Sequence, residues 1–367
     1  MSPWPIGPFS APQRILHDRP KVAFECPVAG RCIEWAAKDL FNPGAVVRAG
    51  EVCLLVRAED HDGRYAGTSR IGLAVSKDGR TFELNAEPVI YPDDDAWQAW
   101  EWPGGCEDPR VVESPDGGYV CTYAAFDGKV PCLFVASSDD LVRWRKHGPA
   151  FVGTAYVRRP SKSGAIVTEL KGGRLVAARV GGRFWMYWGE GAIYAAVSDD
   201  LVRWTPVEIE SAPERYLTWT PDGQGRRGGW GLETIAGGMG LHPIAGPRRG
   251  RFDSRLAEPG PPALLTEDGI VLIYNGGNDP RTGDPAFPAF AYQPAQMILD
   301  SSEPTAVIAR PLAPFLAIDP SEADGQVGNV CFAEGLVAFK GEWLLYVGLA
   351  DSRLGVSAAP MMTRKVA

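Results

Sequence analysis

Two carboxylates stand side by side in GGCEDPRVV, Gly104 to Val112: Glu107 and Asp108, with two glycines before them and a proline after. Asp and Pro are ordinary turn residues, so a surface turn accounts for the stretch without any chemistry. Bond-splitting chemistry on a sugar needs more, one proton donor and one carboxylate base. Two further acids occupy comparable settings. Glu190 ends the aromatic run FWMYWGE, and Glu258 precedes a proline in DSRLAEPGPPALL. Each is equally readable as a solvated loop acid. Trp97, Trp100, Trp102, Trp185 and Trp188 fall near these acids in sequence. They offer flat faces for sugars to stack on, although aromatics are also common core residues. Pro109 is expected to push Asp108 into extended backbone geometry.

Composition narrows the partners. The net charge is −8 and no Lys/Arg-rich block is present, which argues against a phosphate footprint and hence a nucleic-acid partner. No run approaches the roughly 20 apolar residues that span a bilayer, so no membrane partner is expected. Met1 to Leu16 lacks the basic start and apolar centre of a signal peptide. The seven cysteines are odd in number and never paired as CxxC. They read as free thiols in a reducing compartment, which gives a cytoplasmic expectation. Histidines 17, 61, 147 and 242 form no HExxH and no His–Cys cluster, so neither metal nor cofactor is expected.

The elements that must position these acids are strands. SDDLVRW occurs at Ser138–Trp144 and again at Ser198–Trp204, and a looser copy, SKDGRTF, lies at Ser76–Phe82. Each follows an apolar run: CLFVASS, AIYAAVS and RIGLAVS. Strand–turn–strand content at a fixed period signals a propeller or solenoid. The repeated acids then cap turns and the aromatic at each repeat's end packs between sheets, so the useful residues are those that break the repeat. With 43 glycines and 32 prolines opposing helices, the expected fold is all-β. Blades of about sixty to seventy residues divide the chain, read as a single domain, into about five. Residues 211–255, rich in Gly and Arg, read as an insertion: a lid, an inter-subunit arm or a flexible segment.

Taken together and in order, GGCEDPRVV, KSGAI, FWMYWGE, FDSRLAEPGPPALL, GIVLIYNG and ADSRLGVS resemble glycoside hydrolase family 130. That family comprises β-mannoside phosphorylases and β-1,2-mannosidases on a five-bladed β-propeller. The resemblance implies that Asp108 is the general acid, its proton reaching the glycosidic oxygen through a sugar hydroxyl. It also implies sugar-holding roles for Arg70, Glu107, Asp351 and Arg353, and in second rank for Asn42, Arg57, Lys162, Asn275 and Glu334. Phosphorylases of the family carry a cationic phosphate clamp that includes a His where this chain has Asn275. Glu190 and Glu258 match the glutamates that the hydrolase branch has instead.

The expectation is therefore an inverting hydrolase acting on β-mannosides by single displacement, with Glu190 and Glu258 activating water. Two readings stay open beside it. One is a phosphorylase producing mannose 1-phosphate, its anion site rebuilt from Lys162, Arg158, Arg159 and Arg179. The other is a non-catalytic sugar-binding propeller. Linkage, aglycone and assembly as a homo-oligomer are left open.

Overall fold

The computed structural model describes residues 4–17, 19–63, 67–220 and 229–361, with the side chains of 217–220 left aside. The described chain is nearly all β. One short helix, Gln98–Glu101, and one 3-10 turn, Pro320–Glu322, interrupt the strands. Among the described residues no helix is long and apolar enough to cross a membrane.

Antiparallel runs recur along the sequence. The first comprises Asp39–Arg48, Glu51–Glu59, Ser69–Ser76 and Glu83–Ile90; the second comprises Gly105–Glu113, Tyr119–Phe126, Pro131–Ser138 and Arg145–Pro149. The third is built on Ser163–Lys171, Arg183–Gly189, Tyr194–Ser198 and Thr205–Pro206. The fourth follows Leu256–Pro259 and Ala263–Thr266 into Gly269–Gly277, Tyr292–Leu299 and Val307–Ala309. The fifth contains Cys331–Phe339, Glu342–Leu349 and Arg353–Pro360, and its outer strand comes from the other end of the chain, Gln13–Ile15.

Each apolar cluster lies between two successive runs. Val52, Leu54 and Val56 of the first run pack towards Leu344, Tyr346 and Val356 of the fifth. The intervening Cys53 and Leu55 pack towards Val111, Tyr123 and Phe134 of the second. The same division joins second to third, third to fourth and fourth to fifth. Because successive side chains leave a strand on opposite faces, a middle strand apolar on both faces must be sandwiched. This explains why CLLV is written as a continuous apolar run.

The first strands of the runs crowd together. A Cβ on Gly44 would lie 2.4 Å from the carbonyl oxygen of Pro109, and one on Gly335 would lie 2.5 Å from that of Pro43. Arg110, fully buried, fastens this centre by donating to the carbonyls of Lys162, Pro259 and Gly260 in the third and fourth runs.

The repeated heptapeptide is structural. Ser138 accepts from the Leu141 amide and Asp140 from those of Val142 and Arg143; Ser198 and Asp200 do the same for Leu201, Val202 and Arg203. Leu141 and Leu201 both take left-handed backbone, with φ of 66° and 64°, where the looser copy has Gly79. Each Trp then donates its indole N–H to that leucine's carbonyl. Trp204 is fully buried and Trp144 only partly. Trp204→Ala should therefore lower stability by about 3–5 kcal/mol, and Trp144→Ala by less. Denaturant titration checks the difference, and turnover per folded molecule should stay unchanged in both.

Candidate active site

A cavity of about 350 Å³ is lined by residues from all five runs, among them Asn42, Arg57, Glu107, Asp108, Lys162, Glu190, Glu258 and Asp351. One strand supplies two of its acids through a defect. The register between Gly105–Glu113 and Tyr119–Phe126 shifts between Glu107 and Arg110. In a regular strand neighbouring side chains face opposite ways; the bulge turns Glu107 and Asp108 into the same cavity. Asp108 itself has φ +50°, so Pro109 does not hold it in extended geometry as the sequence led one to expect. It sits in the left-handed region, a conformation that clusters at functional sites. The glycines before it are needed for close approach: a Cβ on Gly105 would lie 2.1 Å from the Ser69 carbonyl oxygen. Asn42, in a matching bulge of the first run, has φ +47° and donates to Asp108 Oδ1 at 2.9 Å.

Arg57 organises the acidic wall. Its guanidinium reaches Glu59, Glu107 and Asp108, each at 2.9 Å, and its Nε donates to Ser69 Oγ at 3.0 Å. Lys162 Nζ lies 3.1 Å from Glu107 Oε2 and 4.0 Å from Asp108 Oδ2. Burial alone would raise the Asp108 pKa, but Arg57, then Lys162, Arg110 and the Asn42 amide, outweigh it and hold the carboxyl well below the usual range. Against its own protein surroundings, Asp108 is a carboxylate.

Glu190 and Glu258 behave oppositely. Glu190 Oε2 is buried without a hydrogen-bond partner among the described residues. Burial pushes its pKa up to about 8; Lys162 opposes this, while Glu258 and Asp108 add to it. Glu258 is raised to about 7, again chiefly by burial, with Arg110 and a 2.5 Å hydrogen bond from Ser163 Oγ opposing. Asp351 is pushed up to about 6 by burial. The site thus holds acids kept ionised by cations, Asp108 and Glu59, beside two buried glutamates that titrate near neutrality.

Several residues proposed from sequence lie elsewhere. Arg70 is buried against Asp60, 2.5 Å away, and the Phe24 ring, and does not line the cavity. Arg353 binds the carbonyls of Glu322 and Asp324. Asn275 spends both ends of its amide on the Ala333 backbone, clipping the fourth run to the fifth. Glu334 is fully buried 3.6 Å from Arg110, with neither carboxyl oxygen hydrogen-bonded among the described residues, and burial drives its pKa well above the usual range. Of the arginines considered for an anion site, Arg159 pairs with Glu233, Arg158 stacks on Trp100, and Arg179 binds the carbonyls of Gly182 and Asp199. None lines the cavity.

The tryptophans expected as sugar platforms are core instead: Trp97 and Trp100 pack on Phe134, Trp188 on Phe151, and Trp185 donates to the Val180 carbonyl. Neither they nor Trp102 line the cavity; its aromatic lining is Phe41, Phe126, Trp230, Phe290, Tyr292 and Phe332. Reading the sequence missed these, along with Glu59, Arg255 and Gln326. Only Arg255 carried a signal, three residues before Glu258. Within 211–255, Glu214–Thr220 and Gly229–Ile235 form a hairpin, and Ile209–Ser211 pairs with Gly238–Gly240. Residues 221–228 lie outside the described ones.

An all-β scaffold with paired acids and aromatic faces in one cavity defines a carbohydrate-active site. Comparison with known proteins agrees. The family 130 model, described as β-1,4-mannooligosaccharide phosphorylase, matches residues 16–241, and the chain belongs to glycoside hydrolase family 130. Members named in the comparisons act on mannosides. A 1,2-β-oligomannan phosphorylase from Thermoanaerobacter sp. (strain X514) is 26% identical over 89% of this chain and 92% of its own. A solved glycosyl hydrolase from Bacteroides ovatus is 39% identical, with TM-score 0.81, covering 96% of this chain and 94% of that one. Another structure, from work on family 130 glycoside hydrolases that target β-1,2-mannosidic linkages in Candida mannan, is 37% identical with TM-score 0.85, covering 100% and 97%.

The raised glutamates carry a stability consequence. Between an ordinary glutamate pKa of about 4.3 and the folded values of about 7 and 8, the folded chain keeps protons that the unfolded chain has released. Their contribution to stability is full below the first value and is lost as pH rises through the second. The depressed Asp108 acts only at more acid pH. Glu190→Gln should therefore melt with the wild type at pH 5 and above it at pH 8. Equal melting temperatures at both pH values would contradict the burial argument.

Proposed function

We propose that the chain is an inverting β-mannosidase, a single-domain five-bladed β-propeller that hydrolyses terminal β-mannosyl linkages, β-1,2 linkages foremost. Five runs, each packed on the next and the last on the first, support the propeller. The observation that carries the hydrolytic reading is the pair Glu190 and Glu258 in the cavity. A phosphate dianion would share a confined, low-dielectric space with this acidic pair and be repelled by whichever member is ionised. Water meets none, and a carboxylate with a pKa near 7 is well matched to accept its proton.

In this scheme the water oxygen attacks the anomeric carbon and gives its proton to the glutamate pair. The glycosidic bond breaks, and its oxygen takes a proton that originates on Asp108 and passes through a sugar hydroxyl. The first product is α-mannose. Asp108 is ionised in the free chain, so it must first take up a proton from solvent, which it can do only once the bound sugar has weakened its contacts with Lys162 or Arg57; substrate binding and acid activation are therefore coupled. Arg57, Asn42, Glu107, Lys162 and Asp351 would hold the glycosyl unit.

A second reading is phosphorolysis. It is favoured by the names of the sequence relatives, which include a β-1,2-mannobiose phosphorylase 26% identical over 88% of this chain. Incubation of β-1,2-mannobiose with and without inorganic phosphate, followed by proton NMR, separates the two. α-Mannose should appear at the same rate in both. Mannose 1-phosphate formed only with phosphate would refute hydrolysis. Asp108→Asn should slow turnover by about 10²–10⁴-fold, the usual worth of a positioned general acid; unimpaired turnover would leave Asp108 without that role.

A further inference from the structure

The wall formed by Trp230, Arg255 and Phe290 is built differently from the acidic one. Arg57 and Lys162 are committed to carboxylates. Arg255 also lines the cavity, yet among the described residues its guanidinium makes no ion pair and no hydrogen bond. It lies instead between two rings, 4.9 Å from the Phe290 centroid and 5.8 Å from that of Trp230. A guanidinium held by its faces keeps its N–H edge free to donate.

Neither ring belongs to the repeated runs. Trp230 stands on the inserted hairpin. Phe290 closes a loop gathered by one buried side chain, Asn278, whose amide donates to the carbonyls of Asp284, Phe287 and Pro288. The Asn278 carbonyl accepts from the Phe290 amide. This holds Phe290 at φ +59° with 48% of its surface exposed, an uncommon backbone for an aromatic and an unfavourable exposure. Two segments are thus spent on presenting rings around one uncommitted cation.

Resting on the mannosidase reading, we propose that Arg255, braced by Trp230 and Phe290, is the acceptor-side specificity determinant, the subsite for the hexose that leaves. Aromatic faces meet the sugar's C–H surface, and the guanidinium edge donates to its hydroxyls. The subsite takes a neutral ring; an anion is the competing occupant.

Arg255→Met, Trp230→Ala and Phe290→Ala are compared on two substrates. β-1,2-Mannobiose has an acceptor ring, and β-mannosyl fluoride has the same glycosyl unit with none. The ratio of kcat/KM for mannobiose to that for the fluoride should fall roughly 10–100-fold in Arg255→Met, the scale of a lost hydrogen bond to a charged group. It should fall in the same direction in the other two. An unchanged ratio overturns the proposal, as does an Arg255→Met defect confined to phosphate-dependent turnover. If the wild type turns over neither substrate, the mannosidase reading fails instead. Calorimetry then decides the subsite: the variants should weaken binding of mannobiose and not of mannose, and equal weakening of both refutes it.

Discussion

Everything in the cavity depends on the one guanidinium of Arg57. Glu59, Glu107 and Asp108 converge on it from two strands, and none of the three is exposed. Without it, burying them together would strand uncompensated charge, which is among the costliest arrangements a protein interior can hold. With it, the acidic wall is fixed by short bonds. Burial drives the remaining lining carboxyls, Glu190, Glu258 and Asp351, towards their neutral forms, and Lys162, Arg110 and Arg57 offset it only in part. Division of labour among the acids follows from which of them a cation is bonded to and which are left mainly to burial.

How much of this was legible beforehand differs by kind of information. Strand content, the turn role of SDDLVRW and the acids Asp108, Glu190 and Glu258 could all be read, because each is a local pattern or an ordered set of motifs. Side-chain direction could not. Arg70 and Arg353 looked like ligand-holding cations, yet they meet Asp60 at the preceding strand's end and the 322–324 backbone, partners that only the folded pairing brings opposite them. Asn275 read as a sugar-binding amide, but the Ala333 backbone has taken both ends of it. The tryptophans near the acids failed for a related reason. Alternation along a strand sends neighbours to opposite faces, so nearness in sequence to a site residue predicts the core as often as the cavity.

The bulge at Asp108 was the least readable feature and among the most consequential. Pro109 suggested extended backbone, which would have sent Glu107 and Asp108 to opposite faces. A left-handed residue followed by proline is uncommon, and it holds here because Asn42, Arg57 and the Arg110 bond to the Asp108 carbonyl fix the strand from three sides. Local preference lost to tertiary constraint. A similar balance governs the aromatic wall, where Phe290 keeps an unfavourable backbone inside the loop that Asn278 gathers.

The pairing of Gln13–Ile15 with Arg353–Pro360 carries a consequence for the order of events during synthesis. A nascent chain emerges head first, so Gln13–Ile15 has no partner until Arg353–Pro360 has followed it out of the ribosome. Asp351 is among the last site residues to appear, and the apolar face that the first run turns towards the fifth stays uncovered for the same interval. Pairing between strands so far apart in sequence makes this run a late one to complete, and until it forms the first run keeps an apolar face uncovered. Such a face is what chaperones and proteases recognise.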